Sequence, residues 1–215
     1  SPQTSMALVN ALYFKALWET PFDPAKTKDE PFQVAGASKP PLVPTMHRGG
    51  FIPYLETDQF QAVELPFQGG ELSLVALLPK EGSDFSPTDS TYTSPMNEFE
   101  QVNLNMSLPR FKVESSLELN QALGALGLGS LLNGSADYSA MTTEPVRGVK
   151  ILTKVSFEVN EAGAEGAVAT AALISRGMGG TPEVNFNRSF HFAVIDRKTN
   201  TVLFSGRVDD PRKKS

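Results

Sequence analysis

The chain has no cysteine. That excludes disulfides, cysteine-ligated zinc, iron–sulfur clusters and thiol nucleophiles, and a chain of 215 residues is long enough to fold without such staples. Histidine is scarce: only His47 and His191 are present, so a Ser-His-Asp arrangement would have to be built on one of them, and neither has a nucleophile nearby in sequence. No apolar run approaches the roughly 18 residues of a membrane span. The opening residues SPQTSMALVNALYF lack the basic start and small-residue cleavage site of a secretory signal. Positive charge is also in short supply, with 19 Lys and Arg against 24 Asp and Glu, which leaves no electrostatic footprint for nucleic acid. The expected partners therefore include neither nucleic acid nor a membrane, and no metal or organic cofactor is expected.

What is present is a globular composition, 40% hydrophobic, enough to bury a core in one domain or two small ones. Residues 6–18 (MALVNALYFKALW) are apolar at almost every position and fit either a buried strand or a helix. Prolines then crowd PFDPAKTKDEPFQV and KPPLVPTM, which predicts edge strands and extended turns there. Residues 61–67 and 72–78 (QAVELPF and LSLVALL) read as a strand pair joined by a short glycine loop. The Ser-, Thr-, Asp- and Pro-rich residues 81–101 predict a long surface segment, helical at most around residues 95–100. Residues 102–113 alternate as a strand, and residues 117–126 space their leucines as a short amphipathic helix that closes at glycines. Val149–Val159 (VKILTKVSFEV) is a second long strand, and SFHFAVID with TVLFSGRV forms a terminal hairpin. Between them, residues 161–180 (EAGAEGAVATAALISRGMGG) carry neither a hairpin turn nor a packing helix, and such a long irregular stretch is usually functional.

Several separate segments, in order, resemble the C-terminal half of a serpin: VNALYFKALWETPFD, LPF with LVALLPKEG, LPRF, LNQALGALGLGSLLN, FEVNEAGAEGAVATAA, PEVNFNRSFHF and TNTVLFSGRV. The resemblance implies an α+β serpin fold with mixed sheets A, B and C, few helices and a reactive-centre loop. It also implies that residues 1–215 are the C-terminal portion of a single serpin domain, lacking the N-terminal helices and first sheet A strands, so that an N-terminal serpin segment is needed as a partner to complete the fold. Serpins act as suicide substrates: a protease cleaves the loop, which then inserts into sheet A as an added strand and releases stored strain. An extracellular, secreted location is the accompanying expectation, with Asn133 of Asn-Gly-Ser as the glycan candidate among three such triplets.

The loop also stands on its own physics. Ala164, Gly166, Val168, Thr170, Ala172 and Ile174 alternate along one face and are all uncharged and small or β-branched, while Glu165 falls on the other face. Those 11 residues would span roughly 36 Å as a strand. Read from these residues alone, a flexible glycine-alanine surface loop fits equally well. The resemblance assigns Glu161, Gly163, Ala164, Glu165 and Gly166 to a hinge and Val168, Thr170, Ala172 and Ile174 to the inserting face. Inhibitory serpins usually have Thr or Ser at the position of Ala164 and Ala at that of Gly166. Gly166 adds backbone entropy to be lost on insertion, about 0.5–1 kcal/mol relative to Ala.

Counted by the family's usual loop length from Glu161, the scissile bond is Gly177–Met178. Arg176–Gly177 offers a guanidinium to the acidic pocket of a trypsin-like serine protease, and SRGM resembles the corresponding part of plasminogen-activator inhibitors. Trp18, Arg110 and Glu161 match the breach where the loop enters, with an expected Arg110–Glu161 ion pair. Asn10 matches a buried shutter asparagine, whose usual histidine partner is replaced here by Thr153. The leading expectation is a protease inhibitor and not an enzyme. A non-inhibitory serpin (carrier or chaperone) or an inactive serpin fragment is the alternative.

Overall fold

A computed structural model describes residues 6–83, 85–164 and 181–213. Its strands in chain order are β1 (Met6–Tyr13), β2 (Ala16–Leu17), β3 (Lys28–Pro31), β4 (Leu42–Glu56), β5 (Phe60–Pro66), β6 (Leu72–Pro79) and β7 (Glu100–Pro109). There follow β8 (Phe111–Glu118), β9 (Val149–Val159), β10 (Gly163–Ala164), β11 (Glu183–Asn185), β12 (Phe190–Asp196) and β13 (Thr201–Val208). The helices are short: α1 (Asp89–Thr93), α2 (Asn120–Leu123) and α3 (Gly129–Leu132). The result is an α+β arrangement dominated by strands, and the chain divides into two compact units.

The first unit takes in the start of the chain to Phe14 and the stretch Val113–Phe157. Its sheet has the order β1-β9-β8. β1 and β9 pair directly and in parallel, from Met6 against Val149 to Tyr13 against Ser156, with no strand between them among the described residues. β9 is the strand that the alternation of VKILTKVSFEV predicts. The apolar run 6–18 is strand rather than helix, but β1 covers only its first part: Phe14 leaves the strand and its ring lies 5.8 Å from that of Phe157. The predicted 117–126 helix is a correction. Leu117 and Glu118 continue β8, helix begins only at Asn120, and the helical path runs on to Leu132 through a kink at Gly127, whose φ is +89°. Asn120 explains the late start, because its Nδ2 donates to Val149 O at 2.6 Å and its Oδ1 accepts from Ile151 N at 2.9 Å. The side chain thereby supplies the hydrogen bonds that a further strand residue would make.

The second unit comprises Lys15–Lys112 and Glu158–Lys214. Its large sheet has the order β11-β7-β4-β5-β6-β12-β13, with β3 added on β4, and a separate pair is formed by β2 and β10. β5, β6 and β12 are buried along nearly their whole length, as near-continuous apolar runs require. Their core includes Phe60, Val75, Leu77, Tyr92 and Ile195. A second, aromatic core gathers Phe32, Phe111, Phe186 and Phe192 around Phe190. The predicted 102–113 strand is two, broken at Arg110, and the predicted helix near residues 95–100 is instead α1 followed by a 3-10 turn at Ser94–Asn97.

β4 also departs from the edge position that its prolines predict, since β7 flanks it from Thr45 to Tyr54 while β3 and β5 share the other side. Pro44 is tolerated because it sits where the β7 ladder ends, with its carbonyl accepting from Arg110 N at 2.9 Å.

Candidate functional site

The site begins where β9 ends. Asn160 and Gly163 bond to one another in both directions, Asn160 N to Gly163 O at 3.0 Å and Gly163 N to Asn160 O at 3.3 Å, while Asn160 Oδ1 accepts from Ala162 N at 3.0 Å. This Asx-capped turn reverses the chain. Gly163 and Ala164 then pair antiparallel with Leu17 and Ala16 as β10. Both residues are buried, so the turn at Glu161 and Ala162 passes directly into strand. Glycine is required at 163: its φ is +147°, and a Cβ there would stand 2.1 Å from Ala16 O and 2.9 Å from Trp18 N.

Trp18 closes the turn from beneath. Its backbone N–H donates to Ala162 O and its indole Nε1 to Asn160 O, each at 2.9 Å. The ring stacks on Phe67 with centroids 4.6 Å apart and takes Phe22 edge-on at 6.4 Å. The buried indole is therefore stacked on Phe67 and satisfied at its one donor.

Glu161 is the charged member, only 4% exposed. Its Oε1 accepts from Arg110 Nε at 2.8 Å and lies 2.6 Å from Arg110 Nη2, and Thr27 Oγ1 donates to the same oxygen. Its backbone carbonyl accepts from Phe22 N at 2.9 Å. Burial by itself would raise the carboxyl's pKa, but the hydrogen bonds from Arg110 and Thr27 and the Arg110 charge outweigh it and hold the group below the ordinary carboxylate value. Arg110 was expected as the partner; Thr27 was not. The two residues of that pair lie 134 positions apart, and no local pattern announces it.

Asn10 and Thr153 are register partners across β1 and β9. Thr153, on the central strand of this sheet, is buried, whereas Asn10, on β1, is exposed among the described residues. Glu165, Gly166, Val168, Thr170, Ala172, Ile174, Arg176, Gly177 and Met178 lie outside the described residues. Of the histidines, His191 is buried on β12 and His47 lies on β4. No helix among the described residues is long and apolar enough to cross a membrane, and none of the described His, Asp and Glu residues form a group of three or more placed to hold a metal ion.

The family model for Serpin (serine protease inhibitor) matches residues 1–211. The chain is 34% identical to human Serpin B3 over 97% of its own length and 56% of that protein's, and 37% identical to rat Leukocyte elastase inhibitor A over 97% and 59%. Among solved structures, mouse protein-Z dependent protease inhibitor superposes with a TM-score of 0.79 at 27% identity, covering 98% of this chain and 56% of that one. A serpin from the trematode Schistosoma haematobium gives 0.81 at 23% identity, covering 97% and 57%, and supports the fold alone. The chain belongs to the serpin family. It spans rather more than half the length of the relatives it matches.

Proposed function

We propose that this chain is the C-terminal portion of a serpin domain that inhibits a trypsin-like serine protease as a suicide substrate, cleaved near Arg176 and Gly177. The observation that carries the reading is β10: the first residues beyond Glu161 are already paired as a strand against β2, as a segment able to add itself to a sheet requires. The small, uncharged face from Val168 through Thr170 and Ala172 to Ile174 supports continuation of that strand, since it brings no charge to be buried. Glu161, Gly163, Ala164, Glu165 and Gly166 act as the hinge, with Trp18, Arg110 and Glu161 holding its entrance. Inhibitor names among the relatives support the same reading. The protein would be consumed in the reaction rather than act as an enzyme.

An N-terminal serpin segment completes this domain. Its contact surface is β1, where Leu8 and Leu12 on one face and Val9 and Tyr13 on the other are exposed, an arrangement that otherwise invites edge-to-edge pairing. A secreted location is supported by the exposed Asn133, whose Oδ1 accepts from Ser135 N at 2.9 Å in an accessible sequon turn. Loss of mass on N-glycosidase treatment of the native protein checks it.

The decisive experiment incubates the full-length protein with trypsin. An SDS-stable complex, and a released fragment beginning at Gly177 or Met178, is the expected result. Thr170→Asp should still be cleaved there yet trap less protease, because it adds a charge only to the inserted state. Cleavage without any complex would favour a carrier or chaperone instead.

A further inference from the structure

A cavity of about 660 Å³ opens on the second unit between Lys26, the β4 residues His47, Arg48 and Gly49, the β7 residue Asn105 and the β11 residue Glu183. That volume falls in the range of small-ligand sites, roughly 300–1,000 Å³. Its wall is polar, and Arg48 lacks the carboxylate partner its chemistry calls for. Arg48 donates one hydrogen bond, from Nη1 to Thr20 O at 3.0 Å, and rests over the Phe22 ring at 6.0 Å, yet no carboxylate of the described residues stands within ion-pair distance of it. Burial lowers its pKa, with Glu19 offsetting this only through its longer-range field. His47 Nε2 lies 3.0 Å from Glu30 Oε1, so this ring faces a carboxylate that also lines the cavity.

We propose that this cavity is a carboxylate-binding site in which Arg48 and Lys26 hold the anion and Asn105 receives the ligand's hydroxyl or amide groups. A guanidinium with free donors binds a carboxylate in fork geometry, and the nearby Lys26 adds a second positive charge at a more exposed position. Gly49 keeps the space open: a Cβ there would stand 2.6 Å from Asn105 Oδ1. Glu183 on the β11 side and Glu30 beside His47 set a limit on the ligand, because their carboxylates disfavour a second anionic group near either of them. The site therefore fits one carboxylate accompanied by neutral hydrogen-bonding groups. Such a carboxylate comes either from a free hydroxy acid or from an acidic side chain of a bound protein.

Calorimetric titration of the full-length protein with gluconate, and separately with the peptide N-acetyl-Glu-Asn-amide, tests the proposal, with sulfate at matched ionic strength as the reference. Binding of either probe in preference to sulfate is expected, and which probe binds assigns the source. Arg48→Gln should weaken binding by roughly tenfold, about the effect of losing one charge-assisted bidentate contact. Because Arg48 also props Thr20, Lys26→Gln serves as a second variant at an exposed position; it should weaken binding a few-fold and leave the thermal midpoint of the free protein unchanged. Absence of binding by both probes, equal binding of sulfate, or undiminished affinity in both variants would overturn the site. These outcomes do not depend on protease trapping.

Discussion

Gly163 and Ala16 approach so closely that the strand pair β2–β10 exists only for a residue without a side chain, the missing Cβ lying 2.1 Å from the Ala16 carbonyl oxygen. Backbone of residues 16–18 rather than a movable side chain is in the way. Gly163→Ala should therefore break the pair instead of being absorbed by repacking, with backbone strain alone on the order of 1–3 kcal/mol. Hydrogen exchange read by mass spectrometry over residues 160–164 should rise markedly, while exchange in β5, β6 and β12 stays as it was. Unchanged protection at residues 162–164 would contradict the geometry.

Arg110 and Glu161 are unequal partners, since the Arg110 side chain is 47% exposed and that of Glu161 only 6%. Arg110→Ala leaves a buried carboxylate with Thr27 as its remaining side-chain donor and should cost about 3 kcal/mol, whereas Glu161→Gln leaves a guanidinium that water can reach and should cost about 1–2 kcal/mol. Denaturant titration of the two variants gives the order directly, and the reverse order would refute it.

The same carboxyl fixes a pH dependence. Its folded-state pKa lies below the ordinary carboxylate value of 4.5, so the unfolded chain binds the proton more readily. The stability it contributes is complete above the unfolded value and is lost as the pH falls through the folded one. Glu161→Gln should accordingly be more nearly equal to wild type in stability at pH 3 than at pH 7.

Trp18 is the only tryptophan, so its emission reports on this turn and nowhere else. Trp18→Phe retains a ring to stack on Phe67 but loses the donor to Asn160 O, and about 1–2 kcal/mol of stability should go with it. In the wild type, a fluorescence transition that precedes the far-UV circular dichroism transition would mark the turn as opening before the large sheet.

Gly206 faces Phe192 across β12 and β13, and a Cβ would meet the buried ring at 2.8 Å. Gly206→Val should displace that ring and cost about 1–3 kcal/mol by overpacking. The thermal midpoint should drop by several degrees, and a neutral effect would mean that the ring rotates away freely.

Much of the architecture can be read locally. β9 announces itself through the alternation of Ile151, Thr153, Val155, Phe157 and Val159, and β5 with β6 through two apolar runs around Gly69 and Gly70. The failures arise where distant groups decide. Leu117 and Leu119 satisfy a strand period as well as a helical one, and Asn120's bonds to β9, 29 and 31 positions away, settle the matter. Pro44 excludes a central strand only if its missing N–H faces a ladder, which depends on where β7 ends. At the site, Trp18, Arg110 and Glu161 are legible through resemblance, but Thr27 and the stacking of Phe67 on Trp18 come from chain crossings that carry no local signature.

The direct pairing of β1 with β9 has a kinetic consequence. Chain leaving β9 reverses at Asn160–Gly163, so a strand made from it runs antiparallel to β9 and hence to the parallel β1. Its entry between them would exchange one parallel ladder of eight register pairs for two antiparallel ladders. Antiparallel pairing is slightly the stronger per residue, so the exchange runs downhill once begun. Each parallel rung must nevertheless open before the new ones close, so under the suicide-substrate reading proposed above the sheet would act as a timer, with the number and strength of those rungs setting how long a cleaved loop waits before it enters.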